Sequence, residues 1–381
     1  MRTRTISIRD LSPSDEEAWR DLATRSVEPN PFYEADFLVP ACRYLRHGKG
    51  VVLLVAEDAG RLHACLPVRR ATAPRILPAP VISSWRHPYG FLGTPLVAPE
   101  RGVEAVASLL TTLTGARAWR RLVVLELIGD DGPIAAYFRR AAAELRLTVH
   151  VHTAWERAVF RCQDSADPVP PSVRRERRAK ARQWRRLSGD RGDPAVVDRV
   201  QEPDASSRFL ALEASGWKGR AGTALACRAK DAAFYREVTS RFRASGRLRL
   251  YSLEVGGETL AMQTDLCAGS CLFDWKVAYD ERFARYGPGT QLQLRVVDLA
   301  REQGVHWIDS CSDGEDERQL RLSADHRRIS TLAIGGSGRM QGPRFAVAVF
   351  LVKASRRLRG LSVSPLRRRL ALSSGEQGAN P

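Results

Sequence analysis

"YDERFARYGPGTQLQLRVVDLAREQG", residues 279–304, joins turn chemistry to an amphipathic helix. Thr290 alone would cap an ordinary strand-to-helix turn, so Gly287-Pro288-Gly289 asks for a further reason. A helix start leaves backbone N–H groups without intrahelical partners, and the macrodipole adds partial positive charge there. Glycine lets the chain take angles other residues resist and leaves those donors unshielded, while Pro288 stiffens the turn. The result is an anion site shaped for a pyrophosphate, built from Gly287, Gly289, Thr290, Gln291 and Leu292 with the Arg285 side chain nearby. The same spacing also fits a plain tight connection.

Around this stretch the chain of 381 residues is long enough for two domains. An apolar fraction of 44% is ordinary for globular cores and argues against general disorder. Seven cysteines without C-x-x-C spacing argue against a disulfide framework or a structural zinc, and no histidine pair has metal-ligand spacing. No secretory signal is expected at the N-terminus, and the longest apolar run, "FAVAVFLV" at 345–352, is too short to span a bilayer. The expected location is cytoplasmic, with peripheral contact at the inner face of the membrane.

The net charge of +17 is concentrated. Residues 172–187 hold eight Lys or Arg against Glu176, and residues 339–369 hold nine with no acid. Local basicity of this kind points to a specific anionic partner. The first block reads as a helix capped by Ser172, polar nearly all round, with Val173, Trp184 and Leu187 as its few apolar contacts. The second reads as an amphipathic basic tail suited to anionic lipid.

An internal repeat is expected. "VVLLVAEDAGRLHACLPVRR" (51–70) and "LRLYSLEVGGETLAMQTDLC" (248–267) both read as hairpins, and Leu53, Glu57, Gly60 and Ala64 align with Leu250, Glu254, Gly257 and Ala261. Each is followed by a helix, 100–115 or 289–304, and then a strand, 121–129 or 305–311. Further helices are expected at 15–25, 133–146, 206–215 and 230–245.

Six stretches in order carry a family resemblance: "SVRRERRAKARQWRRL" (172–187), "SGWKGRAGTAL" (215–225), "FYREVTSRF" (234–242), "LEVGGETLAMQTDL" (253–266), "AYDERFARYGPGTQL" (278–292) and "VHWIDSCSDGEDERQLRL" (305–322). Together they resemble the bacterial BioF2-like or CelD-like GNAT acetyltransferase family. They are more distantly similar to the FemABX peptidyltransferases, which carry two GNAT folds in tandem. "HPYGFLGTPLV" (87–97) fits less distinctly. The resemblance implies a two-lobed α/β acyltransferase with mixed sheets, using acetyl-CoA or another acyl-CoA and no metal, whose Gly-rich turn grips the pyrophosphate. Ala284 stands where the family's turn has Gln or Arg, and the family's Tyr-Lys ending is absent after Gly314.

On this basis residues 1–165 are expected to form an N-terminal GNAT-like domain and 166–190 a basic linker helix. Residues 191–335 would form the C-terminal GNAT domain and 336–381 the basic tail. Acyl transfer needs alignment of the acceptor and removal of its proton. Asp274 and Asp309, at strand positions near the turn, are the candidate proton acceptors; the first also fits an outward strand face, the second a structural cap. Trp217 and Lys218, in a glycine-flanked loop, are candidates for contact with a sugar or phosphate of the acceptor, or for plain packing. The function expected is an acyl-CoA-dependent N- or O-acyltransferase on a small-molecule or lipid-linked precursor of cell envelope or polysaccharide. The alternatives are an aminoacyl-tRNA-dependent transferase, with tRNA as partner, and a non-catalytic membrane-surface scaffold.

Overall fold

The computed structural model describes residues 1–46, 48–70, 81–115, 122–163, 169–312 and 317–336. The basic tail lies outside these residues. The first half runs β1 (Arg2–Ser7), α1 (Pro13–Arg25), α2 (Ala35–Tyr44), β2 (Val52–Asp58), β3 (Arg61–Arg70), β4 (Val81–Ser84), β5 (Leu96–Val97), α3 (Gly102–Thr114), β6 (Leu122–Gly129), α4 (Pro133–Glu144) and β7 (Leu147–Arg161). The second half runs α5 (Pro171–Arg191), β8 (Ala195–Asp198), α6 (Ala205–Ser215), α7 (Trp217–Arg220), α8 (Ala229–Ala244), β9 (Leu248–Val255), β10 (Glu258–Ala268), β11 (Cys271–Tyr279), α9 (Pro288–Glu302), β12 (Trp307–Asp309), α10 (Glu317–Leu322) and β13 (Asp325–Gly336). The fold is mixed α/β, and the two expected hairpins are β2–β3 and β9–β10. The basic helix begins earlier than expected: Pro170 occupies the cap position and Ser172 lies inside.

One sheet runs through both halves in the order β1-β2-β3-β4-β6-β13-β7-β12-β11-β10-β9-β8, with β5 paired to β3. The halves exchange their last strands. β7, which ends the first half, pairs with β12 of the second, and β13, which ends the second, pairs with β6 of the first. The two exchanged strands also pair with each other along nearly their whole length. The cores are shared as well: Phe32 and Phe37 of the first half stack edge-on against Phe273 and Trp275 of β11, with ring centroids 5.8 and 5.4 Å apart.

The segment after β4 fixes the back of β11. Trp275 Nε1 donates to the Tyr89 carbonyl at 2.9 Å, and the Tyr89 hydroxyl donates to Asp231 at 2.7 Å. On the opposite face of the sheet, α9 buries Leu292, Val296 and Ala300 against Phe160, Leu253, Leu272 and Ile308. Each larger side chain buried there contributes about 1.5–3 kcal/mol.

A chain divided in the connection before α5 should therefore not yield two independent folds. Residues 169–336 made alone lack β6 and β7, which takes one of the two strand partners from β12 and both from β13. The expected outcome is loss of a cooperative thermal transition by circular dichroism, restored by co-production with residues 1–163. A cooperative transition in the fragment alone would show that the exchange is dispensable.

Candidate active site

β11 and β12 run parallel and pair only over Cys271–Phe273 and Trp307–Asp309. Beyond Phe273 the side of β11 away from β10 has no strand neighbour among the described residues. The register with β10 also shifts: Thr264 faces Lys276 while Asp265 faces Asp274, so Trp275 is an extra residue, a β-bulge. The bulge resets the alternation of side chains. Phe273, Trp275 and Ala278 pack into one core. Asp274, Val277 and Tyr279 instead face α9: Asp274 accepts from Gln293, and Val277 and Tyr279 lie against Gly289.

The 3₁₀ turn Glu281–Tyr286 delivers the chain to α9 through Gly287, whose φ of 61° and ψ of 48° lie in the left-handed region. That conformation explains the first glycine. Gly289 is helical, and a Cβ there would stand 3.4 Å from Val277 Cγ2, so its value is the open space it leaves. The Gln291 N–H is already spent on the Gly287 carbonyl at 2.9 Å. Pro288 has none, and Leu292 lies in the helical ladder. The Gly289 and Thr290 N–H groups remain as the donors facing outward, fewer than the sequence suggested.

A cleft of about 310 Å³ opens beside them. Its walls include Gly287, Gly289, Thr290 and Gln293 from the α9 turn, Glu213, Trp217 and Lys218 from α6–α7, and Asp274 on β11. Thus Gly287, Gly289, Thr290, Trp217, Lys218 and Asp274 are brought together. Arg285 is folded on the Tyr286 ring at 4.6 Å and paired with Asp190 at 3.2 Å. Gln291 is buried, and its Nε2 donates to the Lys180 carbonyl at 2.8 Å, binding α9 to α5. Neither of these two lines the cleft.

Asp309 is away from it too. It is fully buried, held by Arg157 Nη1 at 3.3 Å, Arg327 Nη1 at 3.2 Å and the Cys311 N–H at 2.8 Å. Arg157, 1% exposed, also donates to the carbonyls of Ser312 and Phe91. Asp309 therefore serves as a charged joint between β7, β12 and β13.

Asp274 has a different environment. Burial raises its pKa to about 7; the Gln293 hydrogen bond at 2.7 Å and the Lys218 charge oppose the rise, and the Asp309 charge adds to it. A carboxyl so placed can take up a proton near neutral pH. Its cross-strand neighbour Asp265 accepts from Gln263 Nε2 at 2.9 Å, and burial followed by the Asp274 charge pushes its pKa up. Lys218 Nζ donates to Glu213 at 3.2 Å and to the Val277 carbonyl at 3.1 Å, tying α6, α7 and the open edge of β11. Gly219 permits this approach, since a Cβ there would lie 1.7 Å from the Ala214 carbonyl oxygen. Trp217, 38% exposed, presents its indole at the rim.

The sequence reading missed Gln293, Glu213 and Gln319, all on the cleft wall. Gln293 lies three residues after Thr290, a helical spacing that returns it to the same face, which is the one signal that marks it. The other two carry none.

Residues 174–318 match the family model of the acetyltransferase (GNAT) domain. The matched segment holds most of α5, most of the cleft wall and the α9 turn, so this chain carries an acyltransferase domain of the GNAT type. No curated protein matches the sequence. Among solved structures, FemX aligns with a TM-score of 0.57 at 11% identity, over 88% of this chain and 97% of that one. A conserved protein of unknown function from Bacteroides thetaiotaomicron aligns at 0.55 and 14%, over 86% and 98%. The C-terminal domain of a putative lysylphosphatidylglycerol synthetase from Agrobacterium fabrum aligns at 0.54 and 14%, over 89% and 95%. At these identities the likeness shows the fold, a tandem GNAT-like α/β arrangement.

Asp274 gives a direct check on the cleft. Its folded pKa lies above its unfolded value, so its contribution to stability is full below about pH 4 and is lost as pH rises through about 7. Relative to Asp274→Asn, the wild type should lose on the order of 2–4 kcal/mol between pH 4 and pH 8 in denaturant melts. Parallel curves for the two proteins would place the carboxyl in solvent.

Proposed function

We propose that the protein transfers an acyl group from acyl-CoA to an amine or hydroxyl of a cell-envelope or polysaccharide precursor, in the manner of the BioF2-like or CelD-like acetyltransferases. One observation carries this reading: two free backbone N–H groups at the start of α9 and a carboxyl titrating near neutrality share a single cleft. The residues suit the donor. Gly289 and Thr290 would hold a pyrophosphate oxygen at the positive end of α9. The strand edge of β11 beyond Phe273 leaves room for an extended chain leading inward.

Asp274 then accepts the acceptor's proton. The acceptor nitrogen or oxygen attacks the thioester carbonyl carbon, the C–S bond breaks, and the departing sulfur takes a proton as the free thiol. Gln293 orients Asp274 through the bond from its Nε2. Trp217 offers a flat apolar face for a sugar ring at the rim, while Lys218, already bonded twice, holds the wall in place.

An aminoacyl-tRNA donor is the second reading, favoured by the row of arginines on α5 and by the fold shared with FemX. The two separate by experiment. Thiol release from acetyl-CoA in the presence of amino-sugar acceptors is expected with wild type, with kcat rising as pH passes about 7 and falling at least 100-fold in Asp274→Asn. Transfer from charged tRNA alone would favour the second reading.

Thr290→Glu tests the binding half. A carboxylate in the first turn complements the helix dipole, so the melting temperature should hold or rise, while acetyl-CoA affinity drops at least tenfold by calorimetry. Unchanged affinity would remove the α9 turn from donor binding.

A further inference from the structure

We infer that the outer face of α5 is a docking surface for an anionic lipid bilayer, seated beside the mouth of the cleft. The inner face of this helix is fully used. Val173 and Leu187 are buried, and Trp184 lies under the Arg295 guanidinium at 4.4 Å. The Lys180 carbonyl accepts from Gln291, Arg177 Nε donates to the Leu322 carbonyl at 3.0 Å, and Asp190 accepts from the Tyr286 hydroxyl at 2.7 Å. These bonds fasten α5 against α10 and the turn that begins α9.

The outer face holds Arg174, Arg175, Arg178, Arg182, Arg185 and Arg186, all exposed. Among the described residues, only Arg186 has a carboxylate within 4 Å, Asp190 at 3.6 Å. Arg174, Arg178 and Arg182 follow one another at intervals of four, with Arg185 completing the row, so like charges stack along one side and destabilise the helix locally. Such a row has its natural complement in a plane of phosphates.

The choice of lipid over nucleic acid rests on two features. The outer face contains arginine, alanine and serine but no aromatic ring on which a base could stack, the one nearby indole being turned inward. The second basic block, residues 339–369, interleaves Phe345, Val347, Phe350, Leu351 and Leu358 with its arginines. Apolar residues among basic ones serve insertion at a bilayer surface and add nothing to phosphate contact with a nucleic acid. The inference stands apart from the cleft chemistry and needs no activity for its test.

The full chain is mixed with vesicles of 30% phosphatidylglycerol in phosphatidylcholine, or of phosphatidylcholine alone, at 150 mM salt, without acyl-CoA, and separated by flotation. Wild type should float with the anionic vesicles only. The quadruple variant R174E/R178E/R182E/R185E should partition at least tenfold less, since each arginine near such a surface is worth about fivefold. The matching quadruple Arg→Lys variant should keep binding, which separates charge from folding; circular dichroism checks both. Equal flotation of wild type and the Glu variant, binding to neutral vesicles, or no flotation would overturn the inference. So would displacement of bound protein from vesicles by equimolar duplex RNA, which would assign the surface to nucleic acid.

Discussion

The cleft exists because two parallel strands stay together for three residues and no more. β12 ends at Asp309, while β11 continues for six residues with β10 as its strand neighbour. Into the gap comes the start of α9 on one side and α6–α7 on the other. Asp309 sits at the last paired position, and its fixation by Arg157 and Arg327 sets where the strands part. Removing one cation from so buried a cluster would cost about 3–5 kcal/mol. The joint depends on the strand exchange, since Arg157 belongs to β7 and Arg327 to β13.

The two halves repeat the same plan with different outcomes. In the first half, β4 and β6 also pair in parallel, over Val81–Ser83 and Leu122–Val124. There the following segment closes the gap: the Gly93 N–H donates to the Leu127 carbonyl at 2.8 Å, and a Cβ on Gly93 would meet the Glu126 carbonyl oxygen at 1.9 Å. The same segment sends Tyr89 and Phe91 against Lys276, whose Nζ lies 4.6 and 5.8 Å from their rings. Burial and the Lys218 charge lower that lysine's pKa to about 8. The first half thus fills its own opening and braces the back of the second.

Much of this was legible locally. The hairpins announced themselves through glycine turns between apolar alternations, and α9 through Gly287-Pro288-Gly289 before a helical repeat. The exchanged strands were not. β7 opens with an alternation of Leu147, Val149 and Val151 against Thr148, His150 and His152, but the pattern breaks at Thr153–Arg157, and burial runs against it, with Val151 39% exposed and His152 buried. Its partners lie far along the chain, and no local pattern encodes them. Asp274 and Asp309 show the same limit at the site. Both are buried aspartates on neighbouring strands beside aromatic residues, and the difference between them is set by Arg157, 152 positions from Asp309, and by Gln293. Arg285 and Gln291 read as donors until Asp190 and Lys180 of α5 engage them.

The most direct measurement is hydrogen exchange of the Gly289 and Thr290 amides, followed by NMR with and without acetyl-CoA, with pantetheine as a control lacking the diphosphate. The structure leaves both amides open, so they should exchange fast in the free protein and slow at least tenfold with acetyl-CoA, and respond little to pantetheine. Equal exchange in all three samples would contradict the assignment of the α9 turn as the diphosphate site.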